Sequence, residues 1–181
     1  NTDILYEIKD FDIDEIDIDN FKHTLFVKLK NQLNKQKEKI KNKFIESSDG
    51  SLNVGLNTIL IDSLLKVIFK KFYFKKLNNN NYIFSLIAVG GYGRGELAPH
   101  SDIDILFLLP NRLSQKDAKK IEEIIQLILY VLWDLGYTVG HSTRTINDCV
   151  QKIKLDLTIA TSLLERRFII GNEATYLLLN E

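Results

Sequence analysis

Apolar residues recur along the first third of the chain at the spacing of one helical face. Phe21, Leu25, Leu29 and Leu33, continued by Ile40 and Phe44, stand among lysines and predict one long amphipathic helix that Ser47-Ser48-Asp49-Gly50-Ser51 ends. Leu56, Leu60, Leu64, Val67, Ile68 and Phe72 predict a second helix, so the two form a hairpin. Residues 82–89 are a continuous β-branched and aromatic run and read as a buried strand; residues 103–109 form a second one, stopped by Pro110. Ile121, Ile124, Ile125, Ile128, Leu132 and Leu135 make a helical stripe that starts near Ser114 and closes at Gly136. A third strand is expected over 137–144, helices capped by Thr145 and Asp156 follow, and a short strand over 167–170 precedes Gly171. The sum is an α+β (α/β-layered) fold: a small sheet flanked by helices, with a helical extension over 1–76 packed on a domain over 82–181.

The opening Asp10-Phe11-Asp12-Ile13-Asp14 invites comparison with a calcium loop, but Glu15 stands where the turn needs Gly and Phe21 where a bidentate Glu is needed. The four asparagines 78–81 are compositional habit. Lys and Arg number 24, as do Asp and Glu, so no overall field recruits nucleic acid or an anionic membrane surface. Any anion must be captured locally. No apolar run is expected to reach the roughly 20 residues of a membrane span. The lone Cys149 builds neither an internal disulfide nor a zinc site, which suits a reducing cytoplasm, and reads as a small buried apolar residue. A start at Asn1 and a stop at Glu181 within an apolar run are expected of a piece of a longer protein.

Between the two clearest strands lies Gly90-Gly91-Tyr92-Gly93-Arg94-Gly95-Glu96-Leu97-Ala98-Pro99-His100-Ser101-Asp102-Ile103-Asp104. Glycines so dense permit positive φ and let a phosphate approach backbone N–H groups. The segment lacks the Gly-Lys-Ser/Thr of a P-loop, and Glu96 occupies the third glycine position of the dinucleotide fingerprint. Asp102 and Asp104, two apart on a strand, point to one face with Cα atoms roughly 7 Å apart. From there they can converge on a metal pair about 3.5–4 Å apart. Oxygen donors select Mg2+ or Mn2+ over zinc. Arg94 is the nearest cation for a phosphate oxygen.

Gly90-Gly91, followed after ten residues by Asp102-Ile103-Asp104, resembles the signature of the polymerase-β-like nucleotidyltransferase superfamily. The longer string from Val89 to Leu97 with Ser101-Asp102-Ile103-Asp104 resembles the N-terminal nucleotidyltransferase domain of the bacterial PII uridylyltransferase/uridylyl-removing enzyme family. So do Leu132-Trp133-Asp134, Val139-Gly140-His141-Ser142-x-Arg144-Thr145, and the stretch from Asp156 to Arg167; the resemblance covers roughly residues 82–173.

The resemblance implies a small mixed sheet and transfer of UMP from UTP to a tyrosine of the PII signalling protein. It places Gly90, Gly91, Gly93, Arg94 and Ser101 at the nucleotide and Asp102 and Asp104 at the metal. The superfamily usually adds a third acid on a later strand. None stands in 137–142, which leaves Glu165, or more weakly His141, as substitutes. A related transferase with another nucleotide or acceptor, and a catalytically weak nucleotide- or PII-binding module, are the alternatives. The scattered His23, His100 and His141 include no His-Asp pair for the family's separate uridylyl-removing centre.

Overall fold

The computed structural model describes residues 21–77 and 81–180. The acidic opening at Asp10–14 and Asn78 to Asn80 lie outside the described residues. Helix α1 (Phe21–Ser47) and helix α2 (Gly50–Leu77) form the expected hairpin. They are followed by β1 (Ser85–Ala88), a single helical turn α3 (Gly90–Gly93), β2 (Ile103–Leu109) and α4 (Gln115–Asp134). Then come β3 (Val139–Thr145), α5 (Ile146–Ile153), α6 (Leu157–Leu164), β4 (Arg167–Gly171) and α7 (Glu173–Leu177). The capping residues act as read. Ser114 accepts from the Asp117 amide, Thr145 forms a reciprocal capping box with Asp148, and Asp156 accepts from the amides of Thr158 and Ile159.

The four strands order as β3-β2-β1-β4, with β1 antiparallel to β2 and β4, and β2 parallel to β3. The sheet is therefore mixed. Alternation along β1 and β2 sorts side chains onto two faces. Leu86, Ala88, Ile103, Ile105 and Phe107 join Leu29, Leu64, Phe69 and Ile128 in the main core under α1, α2 and α4. Ile87, Val89, Leu106 and Leu108 form a second cluster with Cys149 and Leu163, under α5 and α6. Burial raises the pKa of the Cys149 thiol, as suits an apolar packing role.

The main core passes without a break from the hairpin to the sheet, so residues 1–76 and 82–181 share one interior where they are described. Truncating Leu64 or Ile128 there to Ala costs about 2–5 kcal/mol. The Tyr73 hydroxyl donates to the Asn81 carbonyl and accepts from the Ile83 amide, both at 2.8 Å, fixing the entry to β1.

The expectation that no segment reaches membrane-span length is corrected by α2, which is long and apolar enough to cross a bilayer by length and composition. The sequence scan underrated it because Asn, Ser and Lys interrupt its apolar run. Here its Leu56, Leu60, Leu64, Leu65, Ile68 and Phe72 are buried in the core.

Candidate active site

The site is built at the end of the sheet where β1 stops and β2 begins. Asp102 is exposed and immediately precedes β2; Asp104 is the second residue of the strand and half-buried. Partial burial, and then the charge of Asp102, raise the Asp104 pKa above its ordinary value. The two carboxylates are thus close enough to repel. Asp104 shares the face of Leu106 and Leu108, opposite the hairpin.

Two glycines make room for this side chain. Gly90 has φ +58°, and a Cβ there would lie 3.3 Å from Asp104 Oδ2. Gly140 on β3 is the register partner of Asp104, and a Cβ at 140 would collide with Asp104 Oδ1. Positive φ occurs at Gly90 and Gly95 but not at Gly91, whose Cβ would meet only ordinary contacts. Gly93 has a packing role, since a Cβ there would strike the Glu165 carbonyl and lie 3.1 Å from that of Ala88. Its amide donates to Val89, while those of Arg94 and Glu96 donate to Gly90 and Gly91. Among the glycines read as a phosphate cradle, Gly90 is the one that lies against the acidic pair.

Arg94 and Glu165 meet each other. Arg94 Nη1 lies 2.8 Å from Glu165 Oε1, and Arg94 Nε donates to Glu96 Oε2 at 2.9 Å. The Glu165 carboxylate, expected as the third acid, is held here by this cation. His141 stands on the other face of the sheet from Asp104. It pairs with Ile105, one residue out of phase with Asp104, and its ring stands edge-on to Trp133 of α4. Ser101 sits in the exposed loop before Asp102, its amide bonded to Ala98.

Sequence reasoning missed the opposite wall. A cavity of about 210 Å³ lies between the sheet and α6, lined by Leu106, Ser142, Arg144, Asp156 and Ser162 among others. Gly140, Ser142 and Arg144 are alternate residues of β3, in register with Asp104, Leu106 and Leu108, so the cavity shares the Asp104 face. Arg144 forms no ion pair among the described residues. The signal was the two-residue alternation in 140–144, readable once the strand is paired with β2.

The turn α3 is anchored from behind. Arg167 on β4 donates from Nη1 to Asp62 Oδ2 at 2.5 Å and from Nη2 to Asp62 Oδ1 at 3.0 Å, while the fully buried Tyr92 hydroxyl donates to Asp62 Oδ1 at 2.6 Å. A third Arg167 bond reaches the Tyr92 carbonyl. The helical hairpin therefore fixes the glycine turn that flanks Asp104.

Comparison with known proteins agrees with this arrangement. The bifunctional uridylyltransferase/uridylyl-removing enzyme of Azospirillum brasilense is 37% identical over 157 residues, covering 84% of this chain and 16% of the relative. Its counterpart in Vibrio campbellii is 42% identical over 148 residues, covering 82% of this chain and 16% of that protein. That of Caulobacter vibrioides reaches 56% identity over 88 residues, 49% of this chain and 9% of the relative. The chain thus spans a small part of the length of the curated relatives it matches. The nucleotidyltransferase domain family matches residues 67–169, a span that opens inside α2 and takes in the glycine turn, the acidic pair and the α6 cavity. With its mixed sheet and paired aspartates at the end of β1 and the start of β2, the chain belongs to the nucleotidyltransferase domain family.

Proposed function

We propose that this chain transfers UMP from UTP to a tyrosine of the PII nitrogen-signalling protein, with Mg2+ or Mn2+ held by Asp102 and Asp104 in the cytoplasm. One observation carries the reading: the half-buried Asp104 is set between Gly90 and Gly140, beside a second carboxylate and an adjoining cavity. The residues fit a hard divalent ion, because they offer oxygen donors alone and a repulsion that a cation relieves. Two carboxylates suffice where substrate phosphates and water complete the shell. When bound, such an ion supplies Lewis-acid charge neutralisation for the triphosphate and the departing pyrophosphate.

The chain's own residues do the positioning. Asp104 is kept on one face by its strand and by the two glycines, and Gly90 presents backbone without a Cβ to an approaching phosphate. Arg144, Ser142 and Ser162 supply a cation and hydroxyl donors to the nucleotide from the cavity wall. Asp102 is exposed at the rim, where an acceptor phenol has access; the phenolic oxygen bonds to the α-phosphorus as the bond to pyrophosphate opposite it breaks, and the phenolic proton passes to water. The balanced charge of the chain favours a protein acceptor over nucleic acid. The uridylyl assignment is supported by the uridylyltransferase activity for which the relatives are named and by the motif resemblance, and the PII assignment by the resemblance.

The engagement of Glu165 by Arg94 favours one further reading, a nucleotide-binding module with weak turnover. Incubating the chain with PII and each α-labelled nucleoside triphosphate, with magnesium or with chelator, separates the two. Labelled PII from UTP alone, dependent on metal, is the expected result. Metal-dependent UTP binding without pyrophosphate release would establish the module, and no binding of any triphosphate would overturn both.

A further inference from the structure

The larger cavity lies on the other side of the sheet. It measures about 430 Å³ and is walled by Lys37 and Lys41 of α1, Asn53 and Asn57 of α2, the loop from Leu97 to Ser101, and Tyr137. This volume suits a small metabolite. Two lysines and His100 line it, and no carboxylate does. Lys37 Nζ stands 4.5 Å from the centroid of the Tyr137 ring, and burial of that ammonium lowers its pKa. The Tyr137 hydroxyl is buried without a hydrogen-bond partner, an arrangement that normally costs free energy.

We propose that this cavity is a second ligand site, for a small oxyanion carrying carboxylate or phosphate, recognised by Lys37 and Lys41 with Tyr137. Cations with no facing acid among the described residues attract a negative ligand, and the Tyr137 ring seats the Lys37 ammonium against the cavity wall. The site is separate from the acidic pair. Leu60, Ile61 and Leu97 of its lining belong to the main core under the hairpin, whereas Asp104 projects from the opposite face. Its roof is nevertheless the segment that leads into Asp102. Thr58 pins that segment, accepting from the Leu97 amide at 3.2 Å and donating to the Gly95 carbonyl at 2.8 Å, and His100 within it has φ +67°. An occupant therefore rests against the loop that delivers a metal-site carboxylate.

Calorimetric titration of the whole chain, in chelator and without nucleotide, tests the site directly. Inorganic phosphate and succinate serve as the two probes and distinguish phosphate from carboxylate preference. Binding of at least one is expected, weakened about tenfold by Lys37→Gln, the loss of one charge-assisted contact. Tyr137→Leu, which removes the ring beneath Lys37, should also weaken it, and circular dichroism checks that both variants fold. Asp102→Asn with Asp104→Asn should leave the affinity unchanged, which keeps this result independent of the transferase reading. No heat with either probe, equal affinity in Lys37→Gln, or binding lost with the aspartates would each overturn the proposal.

Discussion

Gly140 stands directly across from Asp104 in the parallel β2–β3 pair, and the Asp104 carboxylate fills the volume that any side chain at 140 would need. Gly140→Ala must therefore push this carboxylate aside while leaving the backbone ladder in place. A displacement of about 1 Å at a catalytic group costs on the order of 100-fold in rate. We expect such a fall in UMP transfer with little change in Tm, measured by steady-state assay and by melting. Normal turnover in the alanine variant would detach Asp104 from the chemistry.

Asp102→Asn and Asp104→Asn should each abolish transfer without unfolding the protein. For Asp104 the folded pKa lies above the ordinary value near 3.8, so the native state binds this proton more tightly than the unfolded chain does. Its contribution to stability is then greatest at low pH and declines as pH rises through the raised folded value. Asp104→Asn should remove that decline, leaving the variant more stable than the parent at neutral pH in chelator. Magnesium should stabilise the parent and not the variant. Urea melts across pH, with and without the ion, read both effects.

Glu165→Gln should alter transfer less than either aspartate variant, because its carboxylate is engaged by Arg94 at 2.8 Å. The comparison is made at saturating magnesium. Loss equal to that of Asp104→Asn would restore Glu165 as a metal-site acid.

Gly93→Ala acts on packing. Its new Cβ meets main-chain atoms of Glu165 and Ala88, which cannot swing away as a side chain can. Destabilisation of about 1–3 kcal/mol is expected from such overpacking. Chemical denaturation measures it, and an unchanged midpoint would show that α6 and the turn part freely.

The sequence was most legible where physics is local. The isoleucine stripe of α4 and the caps at Ser114, Thr145 and Asp156 each depend on neighbours within a few residues, and all formed as read. The strand expected over 82–89 narrowed to Ser85–Ala88, because Tyr82 and Phe84 pack their rings against Phe69 and Tyr73 of α2. The glycine string announced a special turn but not which glycine takes positive φ. Nor did it show that Gly90 lies against Asp104, fourteen residues away. The pairing of Glu165 with Arg94 was equally hidden, since the two lie far apart in sequence. The α6 cavity became visible only when β3 was paired with β2.

The ion pair between Asp62 and Arg167 joins residues 105 positions apart, so it cannot form until β4 has docked beside α2. Such a contact is entropically late to close. Weakening it should then leave the forward folding rate nearly untouched and shorten the lifetime of the native state. Asp62→Ala, which leaves Arg167 partly buried without its counter-ion, should cost about 3–5 kcal/mol. Nearly all of that loss is expected in the unfolding arm of a stopped-flow chevron. This latch is thus a kinetic guard: it sets how long the glycine turn stays assembled once made, rather than how quickly it is found.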